Sequence, residues 1–278
     1  MFTIGFVSYK SWIYIKTQLQ IYKYFAGEPF KIIIVDTSRN DKEFGRVKSI
    51  VKEFNDISID LISYDPPSKY SSGAHGEGLQ RIYNMVQTPY FLTQDPDFFW
   101  VKPQFLTFLK SKLETHVVVG APYTSERATT GSKYPWFPSA WGAAYRVENL
   151  RVIEADFRWG GCLLESVIDV GWQIRERLGY LPYYTFQQKS FKSLGPTYED
   201  DSSSREFLDE GLTVAYHLGK GNHETYATKG IRMSQGNVRM QERLRKLPVP
   251  KKWQDNRTKA CEFFWKKIND AANGRERS

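Results

Sequence analysis

Two carboxylates that could hold a metal ion lie one residue apart in the stretch FLTQDPDFFW. Asp95 and Asp97 follow an apolar run and precede an aromatic one. Hard cations such as Mg²⁺ and Mn²⁺ prefer carboxylate oxygens and keep coordination places for water and phosphate oxygens. An Asp-Pro pair is also typical of a turn, so a turn that binds nothing is the alternative interpretation. The position of the pair at the end of an apolar strand favours the metal site.

Two more polar residues end predicted strands in the N-terminal part of the chain. Ser8 ends the strand that begins at Phe2, and Asp36 ends the run KIIIVD. That continuous, β-branched run is typical of a strand covered on both faces of its sheet. Ligands of such sheets bind beyond the carboxyl ends of the strands, so we expect Ser8 and Asp36 to lie near the two carboxylates. For Asp36 alone, capping of the following turn is the alternative.

The elements that must position these residues alternate between strand and helix as far as the predicted strand HVVVGAPY. This order predicts an α/β fold with a mostly parallel sheet and helices on both faces. The segment SWIYIKTQLQIYKYF has helical spacing with Ser11 as a candidate N-cap, and EGLQRIYNMV is a shorter helix. We also predict a helix over CLLESVIDVGWQIRERLGY and a strand that leads into the loop of YHLGKGN.

The composition limits the class of protein. A chain of 278 residues is long enough for one large α/β domain or two small ones. The formal net charge of +8 fits a nucleic acid, an anionic membrane surface or a phosphorylated ligand, with a generic basic surface as the alternative. Cys162 and Cys261 are far apart and lack metal-ligand spacing, which predicts a reducing compartment. Since no signal peptide and no run of about 20 apolar residues is present, we expect a cytoplasmic location.

The C-terminal segment 223–278 is basic and is predicted to be a helical extension. Five residues of the segment lie on one face of that helix: Cys261, Phe264, Trp265, Ile268 and Ala272. A helix that packs back on the domain is favoured over peripheral docking on an anionic membrane, which stays the alternative.

The order of the N-terminal segments resembles the nucleotide-binding half of the GT-A glycosyltransferases, most closely family 2. The resemblance rests on the strand that ends in Ser8 and on three stretches, IIIVDTS, GAHGEGLQRIYN and TPYFLTQDPDFFW. It covers residues 1–222 and implies a GT-A, Rossmann-like fold with a mixed, mostly parallel sheet. Residues 1–100 would form the half that binds the nucleotide sugar, and residues 101–222 the acceptor half.

The resemblance implies roles for the polar residues at the strand ends. Asp36 would bind the nucleobase or ribose, with Ser8 nearby. Asp95 would contact the ribose or the metal, and Asp97 would coordinate Mn²⁺ or Mg²⁺. His217 would be a late contact to the metal or the diphosphate, with a purely structural histidine as the alternative.

A second part of the donor site is expected in the stretch GAHGEG. His75 and Gly76 precede the predicted helix, and backbone N–H groups at a helix start can hold a phosphate. Packing within the loop is the alternative role for His75.

The segment GGCLLESVIDVGWQIRERLGY is similar to the acceptor-side segment of the family. Asp169 takes the place of the first Asp of its motif, and Arg175 and Gly179 follow at the family's spacing. The resemblance implies that Asp169 is the general base; a solvated helix residue or a cap is the alternative. Acceptor-side contacts are expected from Trp141, Trp159, Gly160 and Gly161, although packing under a long loop is the commoner role for a tryptophan.

These roles predict a metal-dependent, hexosyltransferase-like enzyme with a nucleoside-diphosphate sugar as donor and a saccharide or lipid-linked acceptor. One carboxylate base without an enzymic nucleophile gives inversion at the anomeric carbon. A nucleotidyltransferase is disfavoured because FVSYKSW is not Gly-rich, and a non-catalytic nucleotide- or sugar-binding domain stays open. A nucleic-acid partner is not expected, since the sequence has no helix-turn-helix, zinc-finger or RNP pattern.

Overall fold

The structure of the chain is a computed structural model that describes seven stretches. These are residues 1–68, 71–122, 134, 136–163, 166–190, 205–218 and 251–273. Of residues 71, 159–163, 166–169, 190, 251–253 and 256 only the backbone is considered.

A seven-stranded sheet forms the centre of the fold. Its strands are β1 (Phe2–Ser8), β2 (Phe30–Asp36), β3 (Ile59–Ser63), β4 (Tyr90–Gln94), β6 (Val118–Pro122), β7 (Pro138–Arg146) and β10 (Tyr183–Thr185). They lie side by side in the order β10-β6-β7-β4-β1-β2-β3. Within this sheet β7 alone runs antiparallel to its neighbours β4 and β6. The predicted mixed, mostly parallel sheet is confirmed.

Helices cover both faces of this sheet. They are α1 (Trp12–Phe25), α2 (Asp41–Glu53), α3 (Ser71–Tyr83), α4 (Phe105–Leu113), α5 (Val147–Val152) and α6 (Trp172–Leu178). The last helix, α7 (Lys251–Ala272), packs on α1. Strand β2 shows why both faces need cover, because successive side chains point to opposite sides. Ile32 and Ile34 belong to one buried cluster, and Ile33 and Val35 belong to the other.

A second, four-stranded sheet and a hairpin complete the described part of the chain. The second sheet contains β5 (Phe98–Trp100), β11 (Gln187–Ser190), β12 (Arg205–Asp209) and β13 (Leu212–His217), in the order β11-β12-β13-β5. All three strand pairs in it are antiparallel. The hairpin joins β8 (Trp159–Leu163) to β9 (Ser166–Val170).

The prediction of one helix over residues 162–179 is wrong. Residues 159–163 and 166–170 form the antiparallel strands β8 and β9, and the helix begins only at Trp172. The β-branched residues of SVIDV favour a strand. Gly171 then takes a φ of +72°, a left-handed conformation that suits glycine and separates the strand from α6.

Two predicted helix starts also need correction. Helix α3 begins at Ser71, so His75 and Gly76 lie inside the helix rather than before it. Ser11 precedes α1 but does not cap it with its side chain; its hydroxyl donates to the carbonyl of Tyr9 at 2.9 Å.

The C-terminal helix α7 packs on the domain, as favoured from the sequence. Phe264 stacks on Phe99 of β5 with ring centroids 4.5 Å apart, and Cys261 and Ile268 are buried beside it. Ala272, predicted on the same face, is exposed. Cys261 is a free thiol. In the described ranges, no helix combines the length and the apolar character that crossing a membrane requires.

Candidate active site

The polar strand ends meet at the carboxyl edge of the central sheet. Ser8 is paired with Asp36 across β1 and β2, and the other neighbour of β1 is β4, which leads into Asp95 and Asp97. Ser8, Asp36 and Asp97 are buried, while Asp95 is about one fifth exposed, with 22% of its side-chain area accessible. The predicted convergence is confirmed.

The Asp-Pro-Asp stretch is a tight turn that also presents its carboxylates. The N–H of Phe98 donates to the carbonyl of Asp95 at 3.1 Å, which closes a four-residue turn with Pro96 in its second position. Proline suits that position because its φ is already fixed and no N–H is required there. The N–H of Asp95 donates to the carbonyl of Trp141 in β7 at 3.0 Å. The turn and the metal site are therefore not alternatives.

Two buried amides anchor this turn from below. The Gln18 side chain of α1 donates to the carbonyls of Pro96, at 3.2 Å, and of Phe98. The Gln94 amide donates to the carbonyl of Phe98 at 2.8 Å, and its oxygen accepts from Trp100 and Tyr22. Both glutamines are fully buried. The hydrogen bonds that the two amides donate fix the backbone from which the two carboxylates project.

Strand β13 brings His217 to the same place. His217 pairs with Phe98 across β13 and β5, and the N–H of Leu218 donates to the carbonyl of Asp97 at 3.1 Å. The His217 Nε2 atom lies 3.5 Å from Asp97 Oδ1 and 3.7 Å from Asp95 Oδ2. The late histidine contact that the resemblance implied thus has the geometry of a ligand.

The charge of the two carboxylates acts strongly on His217. Burial alone would lower the pKa of its imidazole, but Asp97 and Asp95 outweigh burial and raise the pKa to about 9. The imidazole is therefore positively charged at neutral pH when no metal competes for the carboxylates. The two carboxylates therefore stabilise a positive charge at the position of the imidazole, as the ligands of a metal ion must.

The cluster fits a divalent cation. One ligand atom each from Asp95, Asp97 and His217 lies within 4.8 Å of the others, the only such group among the residues that the structure describes. Two ligands of one Mg²⁺ ion, each about 2.1 Å from it, can be about 4.2 Å apart. The His217 Nε2 atom is shielded from solvent and makes no hydrogen bond within the described ranges.

Solved structures give an independent view of the fold. The galactosyltransferase LgtC, in complex with donor and acceptor sugar analogues, superposes with a TM-score of 0.50 at 11% identity. The match covers 91% of this chain and 99% of LgtC. A mannosyltransferase from Pyrobaculum calidifontis, solved with GDP-Man and Mn²⁺, matches at 12% identity over 100% of this chain and 76% of its own, with a TM-score of 0.49. No protein-family model and no curated protein matches the sequence.

The chain has the GT-A fold. The LgtC match carries this assignment together with the sheet order and the helices on both faces. At this level of identity the likeness concerns the fold, so the assignment to family 2 stays a prediction.

In this GT-A sheet, the two oxygens of the Asp36 carboxylate have different surroundings. One of its oxygens, Oδ1, accepts from the Ser38 N–H at 3.1 Å and from the Ser38 hydroxyl. The other oxygen, Oδ2, is shielded from solvent and has no hydrogen-bond partner in the described part of the chain. Burial raises the pKa of the Asp36 carboxyl, while the hydrogen bonds from Ser38 and, more weakly, the neighbouring Ser8 hydroxyl act to lower that pKa. A buried acceptor without a donor is unfavourable and would be satisfied by a hydroxyl or N–H of a ligand.

His75 reaches the Asp95 side of the candidate metal cluster from α3. Its Nε2 atom lies 3.3 Å from Asp95 Oδ1, so the two oxygens of Asp95 face two different imidazoles. Sequence reasoning placed His75 and Gly76 in the donor site through a helix start, which the structure does not support, since both lie within α3.

The acceptor-side predictions lie on the β8–β9 hairpin and on β7. Asp169 belongs to β9, and Trp159, Gly160 and Gly161 belong to β8, where only the backbone is considered. Both strands contact α3, the helix that carries His75. Trp141 is half-buried and stacks on His217, and it also contacts Phe98 and Phe207. The roles of Asp169 and the β8 residues stay predictions.

Sequence reasoning missed the two anchoring glutamines. Gln18 lies four residues after Tyr14 and four before Tyr22, both fully buried, so it falls on the apolar face of α1. A polar residue on an apolar helical face is a signal that a buried partner exists.

Proposed function

We propose that this protein is a glycosyltransferase that moves a sugar from a nucleoside-diphosphate sugar to a hydroxyl group of a saccharide or lipid-linked acceptor. The observation that carries the proposal is the group Asp95, Asp97 and His217 at the carboxyl edge of a GT-A sheet. In open α/β sheets this edge is where ligands bind.

The chain's own residues would hold Mn²⁺ or Mg²⁺ between the turn and β13. Asp97 and His217, both buried, would be two ligands, and Asp95 Oδ2 would be the third. When bound, the ion supplies positive charge that stabilises the leaving nucleoside diphosphate. The buried amides of Gln18 and Gln94 keep the turn, and so the ligands, in place before the donor arrives.

The donor's nucleoside would lie over β1 and β2. Asp36 Oδ2 is the acceptor that a ribose hydroxyl or a base N–H would satisfy, and Ser8 lies beside it in the sheet. LgtC, a solved structure with the same fold, was determined with donor and acceptor sugar analogues. That complex supports a donor site in this chain, although the nucleotide and the sugar are not specified by it.

We propose inversion at the anomeric carbon, with Asp169 as the base. Its carboxylate would take the proton of the acceptor hydroxyl as the oxygen attacks the anomeric carbon and the diphosphate leaves. The support is the place of Asp169 in the acceptor-side segment and the contact of its strand with α3. Trp136, which is 59% exposed, is available to stack on an acceptor sugar.

A binding assay tests the proposed function. Thermal shifts of wild type are measured with UDP-, GDP- and dTDP-sugars, each with Mn²⁺, with Mg²⁺ and with EDTA. We expect one nucleotide to stabilise the protein only when a metal is present, and Asp97→Ala to lose that shift. Asp60→Ala, at an exposed carboxylate on β3, is the matched control and should behave as wild type. The absence of a metal-dependent shift with every donor would contradict the proposal. Donor binding without sugar transfer would instead indicate a non-catalytic domain.

The cellular context stays a prediction. It comprises a cytoplasmic location and peripheral association with an anionic membrane through the basic C-terminus. Helix α7 buries its apolar face against the domain, so any such contact would involve its charged side.

A further inference from the structure

We propose that His75 is a positioning residue that acts through Asp95 and sets which carboxylate oxygen faces the metal. The inference rests on the proposed function, because it concerns the metal site that this function requires. It replaces the donor-phosphate role that the sequence suggested for His75.

The first step is the division of Asp95 between two histidines. Asp95 Oδ1 faces His75 Nε2 at 3.3 Å, and Asp95 Oδ2 faces His217 Nε2 at 3.7 Å. Both His75 Nε2 and Asp95 Oδ1 are shielded from solvent and have no hydrogen-bond partner in the described ranges. The 3.3 Å contact is thus the polar contact that the structure gives each of these two atoms, and it leaves Asp95 Oδ2 facing His217.

The second step is that His75 contacts a candidate metal ligand but does not belong to the ligand group itself. The three ligand atoms within 4.8 Å of one another belong to Asp95, Asp97 and His217, and His75 is not part of that group. Imidazoles and carboxylates just outside a metal shell orient the ligands and tune their affinity, and losing one typically weakens metal binding 10- to 100-fold.

The third step is that the fold fixes the position of His75. Helix α3 packs closely on β1 at Gly78, where a Cβ would lie 2.9 Å from the methyl groups of Val7. His75 lies three residues earlier on the same helix, so its height above the sheet is set by this contact. The Asp95 backbone is held independently, through its N–H to Trp141 and its carbonyl to Phe98. The remaining freedom is the rotation of the Asp95 carboxylate, which His75 restricts.

The experiment measures Mn²⁺ affinity, by electron paramagnetic resonance of free Mn²⁺ and by calorimetry, so that no acceptor is needed. We expect His75→Ala and His75→Phe to weaken Mn²⁺ binding about tenfold or more, and His75→Gln, which keeps an N–H donor, to recover part of the loss. His116→Ala is the control, because His116 bonds to Thr115 and Lys112 at the far end of α4. Far-UV circular dichroism and melting confirm that each variant is folded.

A double-mutant cycle separates positioning from a general structural role. If His75 acts through Asp95, adding His75→Ala to Asp95→Ala should change the Mn²⁺ affinity no further. Additive losses would overturn the proposal, as would Mn²⁺ binding by His75→Ala within twofold of wild type. Wild-type protein that binds no Mn²⁺, with or without a nucleoside diphosphate, would instead overturn the proposed function, and this inference with it.

Discussion

The indole of Trp141 lies almost flat on the imidazole of His217, with ring centroids 4.5 Å apart and an interplanar angle of 15°. Trp141 also accepts, through its carbonyl, the hydrogen bond of the Asp95 N–H. One residue of β7 therefore supports both sides of the candidate metal site, the histidine by stacking and the carboxylate turn by its backbone.

Replacing Trp141 should weaken the metal site. Trp141→Leu removes the flat surface that orients His217, so we expect Mn²⁺ affinity to fall about tenfold, as for other residues just outside a metal shell. Trp141→Phe should keep most of the affinity because a ring remains. Trp136→Leu, at an exposed tryptophan two residues before β7, is the control. Calorimetry with Mn²⁺ checks this, and unchanged affinity in Trp141→Leu would show that stacking is not needed.

Replacing Gln18 should destabilise the turn that carries the carboxylates. Gln18→Leu keeps the approximate volume but leaves the buried carbonyl of Pro96 without its donor, which costs about 1–3 kcal/mol. The melting temperature should fall by several degrees, and Mn²⁺ affinity should fall with it. Gln20→Leu on the same helix is the matched control, since Gln20 is only half-buried. Melting of Gln18→Leu at the wild-type temperature would contradict the anchoring role.

The sequence predicts well those parts of the fold whose signals come from residues close together in the chain. The run from Ile32 to Val35 marks a strand covered on both faces, and Asp36 marks its end, because both signals are local. The β8–β9 hairpin was missed since its apolar spacing fits a helix as well as a strand. The φ of Gly171 that separates the hairpin from α6 is visible only in the folded chain.

The residues of the candidate site could be predicted from the sequence, but the contacts that hold those residues in place could not. The carboxylates, Asp36 and His217 follow from strand ends and resemblance. The bond from Gln18 to Phe98 spans 80 positions of sequence, and the stacking of Trp141 on His217 also joins distant segments. Contacts of this kind arise from tertiary packing, and no local pattern encodes them.

The charge of His217 predicts a pH dependence of stability in metal-free protein. Its pKa is raised from about 6.5 in the unfolded chain to about 9 in the fold. The native state therefore holds the proton more tightly, so the stabilisation is complete below about pH 6.5 and is lost as pH rises through about 9. We expect the stability difference between wild type and His217→Gln in EDTA to shrink by about 1–3 kcal/mol between pH 6 and pH 10.

Urea unfolding of both proteins at the two pH values measures this difference directly. Using the difference between wild type and variant removes the contribution of lysines and tyrosines that titrate in both proteins. A difference that stays constant over this range would show that His217 is not held as the charged form by Asp95 and Asp97.

Replacing Asp36 should weaken nucleotide binding without weakening metal binding. Asp36→Asn changes the buried acceptor at the end of β2 but leaves the metal ligands intact, so binding of the nucleoside diphosphate in the presence of Mn²⁺ should weaken about 10- to 100-fold, while the affinity for Mn²⁺ alone stays at the wild-type value. Asp60→Asn, at an exposed position of β3, should leave this affinity unchanged. Calorimetry with the nucleotide selected by the thermal-shift panel provides the measurement. Equal affinity of Asp36→Asn and wild type would remove Asp36 from the donor site.

Replacing the proposed general base, Asp169, should slow sugar transfer without weakening donor binding. In Asp169→Asn the side chain can no longer take the acceptor proton, so release of nucleoside diphosphate from the donor in the presence of acceptor should fall about 10²- to 10⁴-fold. The metal-dependent thermal shift with the donor should remain, because Asp169 belongs to β9 and not to the turn or β13.

Glu154→Gln is the matched control for this variant. Glu154 is an exposed carboxylate shortly before the β8–β9 hairpin, so its loss should leave transfer unchanged. The anomeric configuration of the product, read by proton nuclear magnetic resonance, tests inversion in the same reaction. Wild-type rates in Asp169→Asn would remove this residue as the base, whereas a retained anomeric configuration would exclude a single displacement altogether, since one attack by the acceptor must invert the carbon.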